Sequence, residues 1–168
     1  PILIGVLETR IRTKGRQHPH TLVSMNNLAK VEAKLGKLDE AEALGREALA
    51  GYTDALNPDH PVVLTLTRNL ADILSRADRE TEALPLFERA SQGRSTTLGA
   101  THPDTLSAGL DVARSLRRLG RHAEAARIAK AVLDTASDAS EGRVVEAARE
   151  LLVAINADIR TEEANPSR

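Results

Sequence analysis

The side chains of this chain best suited to chemistry are three histidines, His18, His60 and His102, each followed by proline and each 42 residues from the next. Histidine is the commonest metal ligand and general base, so a shared metal site is the first possibility to weigh. Equivalent residues of stacked helical units lie about one helix diameter apart, on the order of 10 Å. Shared ligation needs each ligand at roughly 2 Å from the metal. The three histidines are therefore expected at helix entries. His20 and His122 have no acidic or histidine partner spaced to join them and read as surface residues. Catalytic motifs are missing as well: there is no cysteine, no glycine-rich phosphate loop after a strand and no H-E-x-x-H. The acidic residues sit at helix-pairing distances. No metal, no cofactor and no enzymatic activity are expected.

What remains is binding chemistry. Asn26, Asn27, Lys30 and Lys34 form one polar stripe. Arg68, Asn69, Asp72 and Arg76 form a second. Leu110, Asp111, Arg114, Arg117 and Arg118 form a third. Spacings of three and four residues place such side chains on one helical face. The three stripes hold seven basic residues against two acidic ones, while the whole chain carries a net charge of −1. Positive charge is thus segregated onto one surface.

The elements that must position these stripes come from a repeat. His18-Pro19-His20-Thr21-Leu22 returns as His60-Pro61-Val62-Val63-Leu64 and as His102-Pro103-Asp104-Thr105-Leu106. A period between about 20 and 50 residues marks stacked units. In the same register Leu28, Leu70 and Val112 align, as do Ala29, Ala71 and Ala113, and Leu44, Leu86 and Ile128. Glu40-Ala41 recurs as Glu82-Ala83 and Glu124-Ala125. Each unit reads as two helices with apolar residues at helical spacing. Proline fits the first turn, where its missing N–H is harmless. Gly36 and Gly120 suit a left-handed C-cap; Asp78, at the same place in the middle unit, also tolerates turn conformations. Pro85 falls within the first turn or so of its helix. The prediction is all-α, about eight helices and no sheet.

The expected layout is a single solenoid over residues 1–160. Residues 1–17 are the second helix of a truncated repeat. Repeats follow at 18–59, 60–101 and 102–140, then a terminal capping helix at 141–160 and a polar, frayed tail at 161–168. The chain lacks a starting Met and begins inside a repeat, so it reads as part of a longer protein. No apolar run approaches the roughly 18 residues of a membrane span. The absence of cysteine fits a cytoplasmic setting. Aromatics are 1% of the chain, Tyr52 and Phe87 alone, so base stacking is nearly unavailable and nucleic acid is not the expected partner. Glu32 falls where Leu74 and Leu116 fall in the other copies. A charge at that core position needs either an edge that hydrates it or a cation that pairs with it.

Asn26-Asn27-Leu28-Ala29, then Leu35-Gly36-Lys37-Leu38-Asp39-Glu40-Ala41-Glu42-Ala43-Leu44, then Glu47-Ala48-Leu49 and Asn57-Pro58-Asp59-His60-Pro61 together resemble a tetratricopeptide repeat of the kinesin light chain type. The 42-residue period belongs to that type, since the plain repeat uses 34. The resemblance covers residues 1–135. It implies a right-handed solenoid of antiparallel helix pairs with a concave groove lined by the first helix of each pair. It also implies that Asn27 and Asn69 hold the backbone of an extended peptide, with Asp111 breaking the ladder in the third unit. Many bacterial members are C-terminal arrays on larger regulatory proteins, including nucleotide-switch signalling proteins.

The function expected is a protein-interaction module that binds an acidic or carboxylate-bearing peptide or helix in a basic groove. A second reading stays open: an intramolecular regulatory or scaffold array that packs on neighbouring domains of a larger signalling protein. Two blander readings of the stripes are open too. The asparagines merely link neighbouring helices, and the cations form a solvated face with local pairs such as Asp72 with Arg68 and Arg76, of the kind usually worth little.

Overall fold

A computed structural model describes residues 2–136 and 142–164. It contains α1 (Ile2–Lys14), α2 (Pro19–Lys34), α3 (Leu38–Ala55), α4 (Pro61–Arg76), α5 (Glu80–Leu98), α6 (Pro103–Arg118), α7 (His122–Thr135) and α8 (Gly142–Ala164), with no strand among the described residues. The all-α expectation holds. Tight turns fold helices back on one another, giving the helix pairs of a solenoid. Glu141, the expected start of the last helix, lies outside the described residues, as does 165–168 of the expected tail. The rest of that tail, 161–164, continues α8, and the Thr161 hydroxyl donates to the Ala157 carbonyl at 2.9 Å. Contacts cluster into two compact units, Pro1–Leu86 and Phe87–Arg168; the division falls within α5.

The His-Pro phrase starts α2, α4 and α6 by a specific device. His18, His60 and His102 are N-caps with extended backbone (φ −68°, −62° and −66°). Each imidazole Nδ1 accepts from the backbone N–H two residues on, that of His20 at 3.2 Å, Val62 at 3.2 Å and Asp104 at 3.1 Å. A side-chain acceptor at this place satisfies one of the orphan donors of a helix start. The acceptor must be an unprotonated nitrogen. Desolvation of the His18 ring, with Lys14 and His20 adding positive charge nearby, pushes its pKa below the ordinary value. A lowered folded-state pKa contributes stability that is complete above the unfolded value and lost as pH falls through the folded one. The stability of α2 should therefore fall as pH drops below about 6.5. NMR titration of the His18 ring checks this: a midpoint at or above that of a free histidine would contradict it.

The helix ends are equally local. Gly36 (φ 79°), Asp78 (φ 57°) and Gly120 (φ 72°) are left-handed. In each case the next N–H closes onto a carbonyl five residues back: Lys37 onto Glu32 at 3.0 Å, Arg79 onto Leu74 at 3.0 Å and Arg121 onto Leu116 at 2.9 Å. This is the Schellman closure. Only Asp78 bears a side chain there, which opposes the left-handed conformation by roughly 1 kcal/mol. Asp78→Gly should stabilise the protein by about 0.5–1 kcal/mol, visible as a higher melting temperature; a lower one would show that Asp78 makes a compensating bond.

In the first unit Leu7, Leu22, Met25, Leu28, Ala48, Tyr52, Val63 and Leu66 form one cluster, with the Tyr52 hydroxyl donating to the Pro19 carbonyl at 3.1 Å. Ala29, Ala33, Ala41 and Ile73 form another. The alanines that recur in register are buried, which lets helices approach closely. Glu32 is 7% exposed, and Lys37 Nζ stands 3.2 Å from its carboxylate; a cation faces this buried charge. Pro85 lies six residues into α5, a turn deeper than expected, where it forgoes a bond to the Thr81 carbonyl. In the second unit Leu106, Leu110, Val112, Leu116, Ala125, Ala129, Val132, Leu151 and Ile155 are buried.

Candidate peptide-binding surface

Leu70, Ala71, Ile73 and Leu74 turn α4 inward, and the 3.6-residue period then sets Arg68, Asn69, Asp72 and Arg76 together on its other side. On α2, burial of Leu22, Met25, Leu28 and Ala29 leaves Lys30 and Lys34 exposed. The two helices meet so that Lys30, Lys34, Arg68, Asn69, Asp72 and Arg76 surround a pocket of about 190 Å³ floored by Ile73. Four cations and one carboxylate line it. Arg76 Nε donates to Asp72 Oδ2 at 2.8 Å, with both side chains about half exposed. Asn69 Nδ2 donates to Asn26 Oδ1 at 3.0 Å and ties α4 to α2.

The asparagine partners differ from the register of the repeat. Asn27, not Asn26, aligns with Asn69, yet Asn26 makes the bond. Adjacent helical residues point about 100° apart, and the packing of α2 on α4 selects Asn26; Asn27 is exposed on α2. Beside the bridge, Val23, Asn26, Tyr52, Pro61, Val62, Thr65 and Leu66 line an apolar hollow of about 230 Å³. The sequence carried no signal for that hollow, because Tyr52 comes from α3 and the rest from α2 and α4.

The stripe on α6 lies in the second unit and is differently used. Leu110 is 2% exposed and belongs to the core. Asp111 is 8% exposed, and Arg114 Nη1 donates to it at 3.2 Å. Arg117 reaches α8: its Nε donates to Asp158 Oδ2 at 2.5 Å. That hydrogen bond, with the positive charge of Arg117, holds the Asp158 carboxyl below the usual range. Arg118 is exposed. His122, read from sequence as a surface residue, has a side chain only 10% exposed, and its Nε2 stands 3.0 Å from Glu162 on α8.

The tetratricopeptide repeat model matches residues 1–54, 21–94 and 62–138. No curated protein matches the sequence. Among solved structures, a Podosopora anserina protein described as a kinesin light chain with nearly identical TPR-like repeats is 24% identical; the match covers 98% of this chain and 86% of that one at a TM-score of 0.76. Its Q17M form is 23% identical, with 97% and 86% covered and a TM-score of 0.75. BtubC (BKLC) from P. vanneervenii is 16% identical, with 99% and 72% covered and a TM-score of 0.72. At these identities the likeness concerns the fold. Among the described residues no helix is long and apolar enough to cross a membrane. With three overlapping matches over 1–138, eight helices among the described residues and kinesin-light-chain-like neighbours in fold, the chain belongs to the tetratricopeptide repeat family, whose repeats mediate protein–protein interaction and scaffolding.

Proposed function

We propose that this chain is a protein-interaction module that holds an acidic peptide segment at the pocket between α2 and α4. The observation that carries the reading is the convergence of Lys30, Lys34, Arg68 and Arg76 around one hollow with a single carboxylate, Asp72. Hydrogen bonds between a carboxylate and a cation are about twice as strong as neutral ones, and a ligand carboxylate displaces little of value, because an exposed pair such as Arg76–Asp72 contributes under about 1 kcal/mol. Asn69 spends one N–H on Asn26; an amide has a second N–H and a carbonyl, which suit a peptide backbone. Arg114, Arg117 and Arg118 play no part in this pocket; Arg117 is engaged by α8.

The test compares a fluorescent glutamate-rich peptide with its glutamine counterpart by anisotropy. The acidic peptide should bind saturably and weaken at least about tenfold between low and roughly 0.5 M salt, as screening shortens the reach of exposed charges. Equal binding of the two peptides, or indifference to salt, would refute the basic pocket as the recognition site.

A further inference from the structure

The pocket between α2 and α4 carries more positive charge than one ligand carboxylate neutralises. Lys30 and Lys34 on α2 and Arg68 and Arg76 on α4 set four cations against Asp72, which leaves three positive charges around about 190 Å³. Asp72 is already engaged, since Arg76 Nε donates to its Oδ2 at 2.8 Å. The lysines have no such neighbour on their own helix. Three and four positions from Lys30 stand Asn26, Asn27, Ala33 and Lys34; from Lys34 they are Lys30, Val31, Lys37 and Leu38. Like charges one turn apart oppose a helix, and no acid stands at the places that would offset them. Lys37, the next cation along, faces Glu32 instead.

The repeat does not call for this charge. In register Arg68 corresponds to Asn26 and Leu110, and Lys30 corresponds to Asp72 and Arg114. Packing does not call for it either: Lys30, Lys34 and Arg76 are exposed, while Leu28, Ala29, Leu70 and Ile73 are the buried residues beside them. Surplus charge that serves neither register nor core, yet gathers from two helices around one hollow, is accounted for by a ligand. Ile73 on the floor is 2% exposed, and an apolar floor lowers the local dielectric for charges above it. Asn69 gives one N–H to Asn26 at 3.0 Å, and its amide carries a second.

We infer that the acidic group taken by this pocket is a phosphate monoester, borne as phosphoserine or phosphothreonine on the bound peptide, so that phosphorylation of the partner switches its capture on. This rests on the reading of the chain as an acidic-peptide module. A phosphate monoester brings about −1.5 to −2 charges near pH 7 and three strong acceptor oxygens, against one charge and two oxygens for a carboxylate. Donors converging from two helices suit three oxygens, and the larger charge matches the surplus of three. Size does not decide. A cavity of about 150 Å³ houses a six-carbon ring, so the pocket admits the side chain of phosphoserine as readily as that of glutamate. Charge decides. The phosphodiester of a nucleic acid or a lipid carries a single charge and gains nothing over glutamate.

The probe is the glutamate-rich peptide with its central glutamate replaced by phosphoserine, titrated by anisotropy into the full chain beside the glutamate parent. The phosphoserine peptide should bind about tenfold tighter than the parent. Its phosphorus NMR signal should shift on binding, and amide shifts should centre on 30–34 and 68–76. Lys30→Gln with Lys34→Gln should cut the phosphoserine-over-glutamate ratio to about twofold or less, with a melting temperature at or above that of the parent because a like-charge pair is gone. Asp72→Asn should raise the ratio, since a dianion feels the lost carboxylate more than a monoanion does; a purely structural role for Asp72 would move both peptides alike. Equal binding of the two peptides would overturn this inference and leave the acidic-peptide reading standing, whereas no binding of either would overturn both. Full displacement of the phosphoserine peptide by an equal concentration of inorganic phosphate would make the pocket a free-anion site. Tighter binding of a single-stranded oligonucleotide at the same amides would make it a nucleic-acid site. Either result overturns the phosphopeptide assignment.

Discussion

Replacing Lys30 and Arg76 together by glutamate should lower the affinity for an acidic peptide by about 100-fold or more, equivalent to roughly 2.7 kcal/mol of binding, while the melting temperature stays within a degree or two. Lys30 lies on α2 and Arg76 on α4, and both line the same pocket. Each reversal removes an attraction and installs a repulsion, so the hollow changes from a cationic to an anionic lining around Asp72. Both side chains are exposed, so their loss leaves no cavity and no orphaned buried charge. The Arg76–Asp72 pair is lost, but such pairs contribute little at a surface. Lys30→Gln with Arg76→Gln should fall between parent and reversal, because neutralisation removes attraction without adding repulsion. An unimpaired double reversal would place the binding surface elsewhere and favour an array that packs on neighbouring domains. Asn69→Ala is the complementary variant. It should weaken peptides of many sequences alike, and it also breaks the tie to Asn26.

The largest effect on stability is expected from Ile155→Asp in α8. Ile155 is fully buried, between Leu151 at 6% exposure and the packed face of the second unit, and Ala148 lies at the same seam. Truncation to alanine should cost about 2–4 kcal/mol through lost transfer energy and the cavity left behind. Aspartate adds an unpaired buried charge, which proteins accommodate only by neutralising it or opening, so a loss above about 4 kcal/mol is expected. The outcome to look for is a separate, earlier transition in the thermal melt, with fast hydrogen exchange in α8, because repeat arrays lose stability interface by interface. Val153→Asp on the same helix is the control: Val153 is 71% exposed and the change should stay within about 0.5 kcal/mol. Equal melting of Ile155→Asp and the parent would mean that α8 is not a structural cap.

The repeat, the helix boundaries and their caps were legible in the sequence because each is written in a few neighbouring residues. His-Pro places an acceptor and a fixed φ at the start of a helix. Gly36 and Gly120 supply φ above zero at its end, and Asp78 does so with strain. Apolar residues at helical spacing state which face turns inward. None of these features depends on a distant part of the chain.

What each polar side chain touches was decided by packing. Asn26 and Asn27 are indistinguishable by composition, and the rotation of α2 against α4 brings the first to Asn69. Leu110 shares a helix face with Arg114 by spacing, yet it is buried while Arg114 is exposed. Arg117 and Asp158 are 41 residues apart in sequence and hydrogen-bonded in space. Glu32 sits in a core register, and only the fold shows Lys37 standing over it. Local torsional preference and periodic burial thus determined the helices from the sequence alone. The sites arose from the relative rotation of helices, which is set by side-chain interdigitation across the whole unit and has no counterpart in any short stretch of chain.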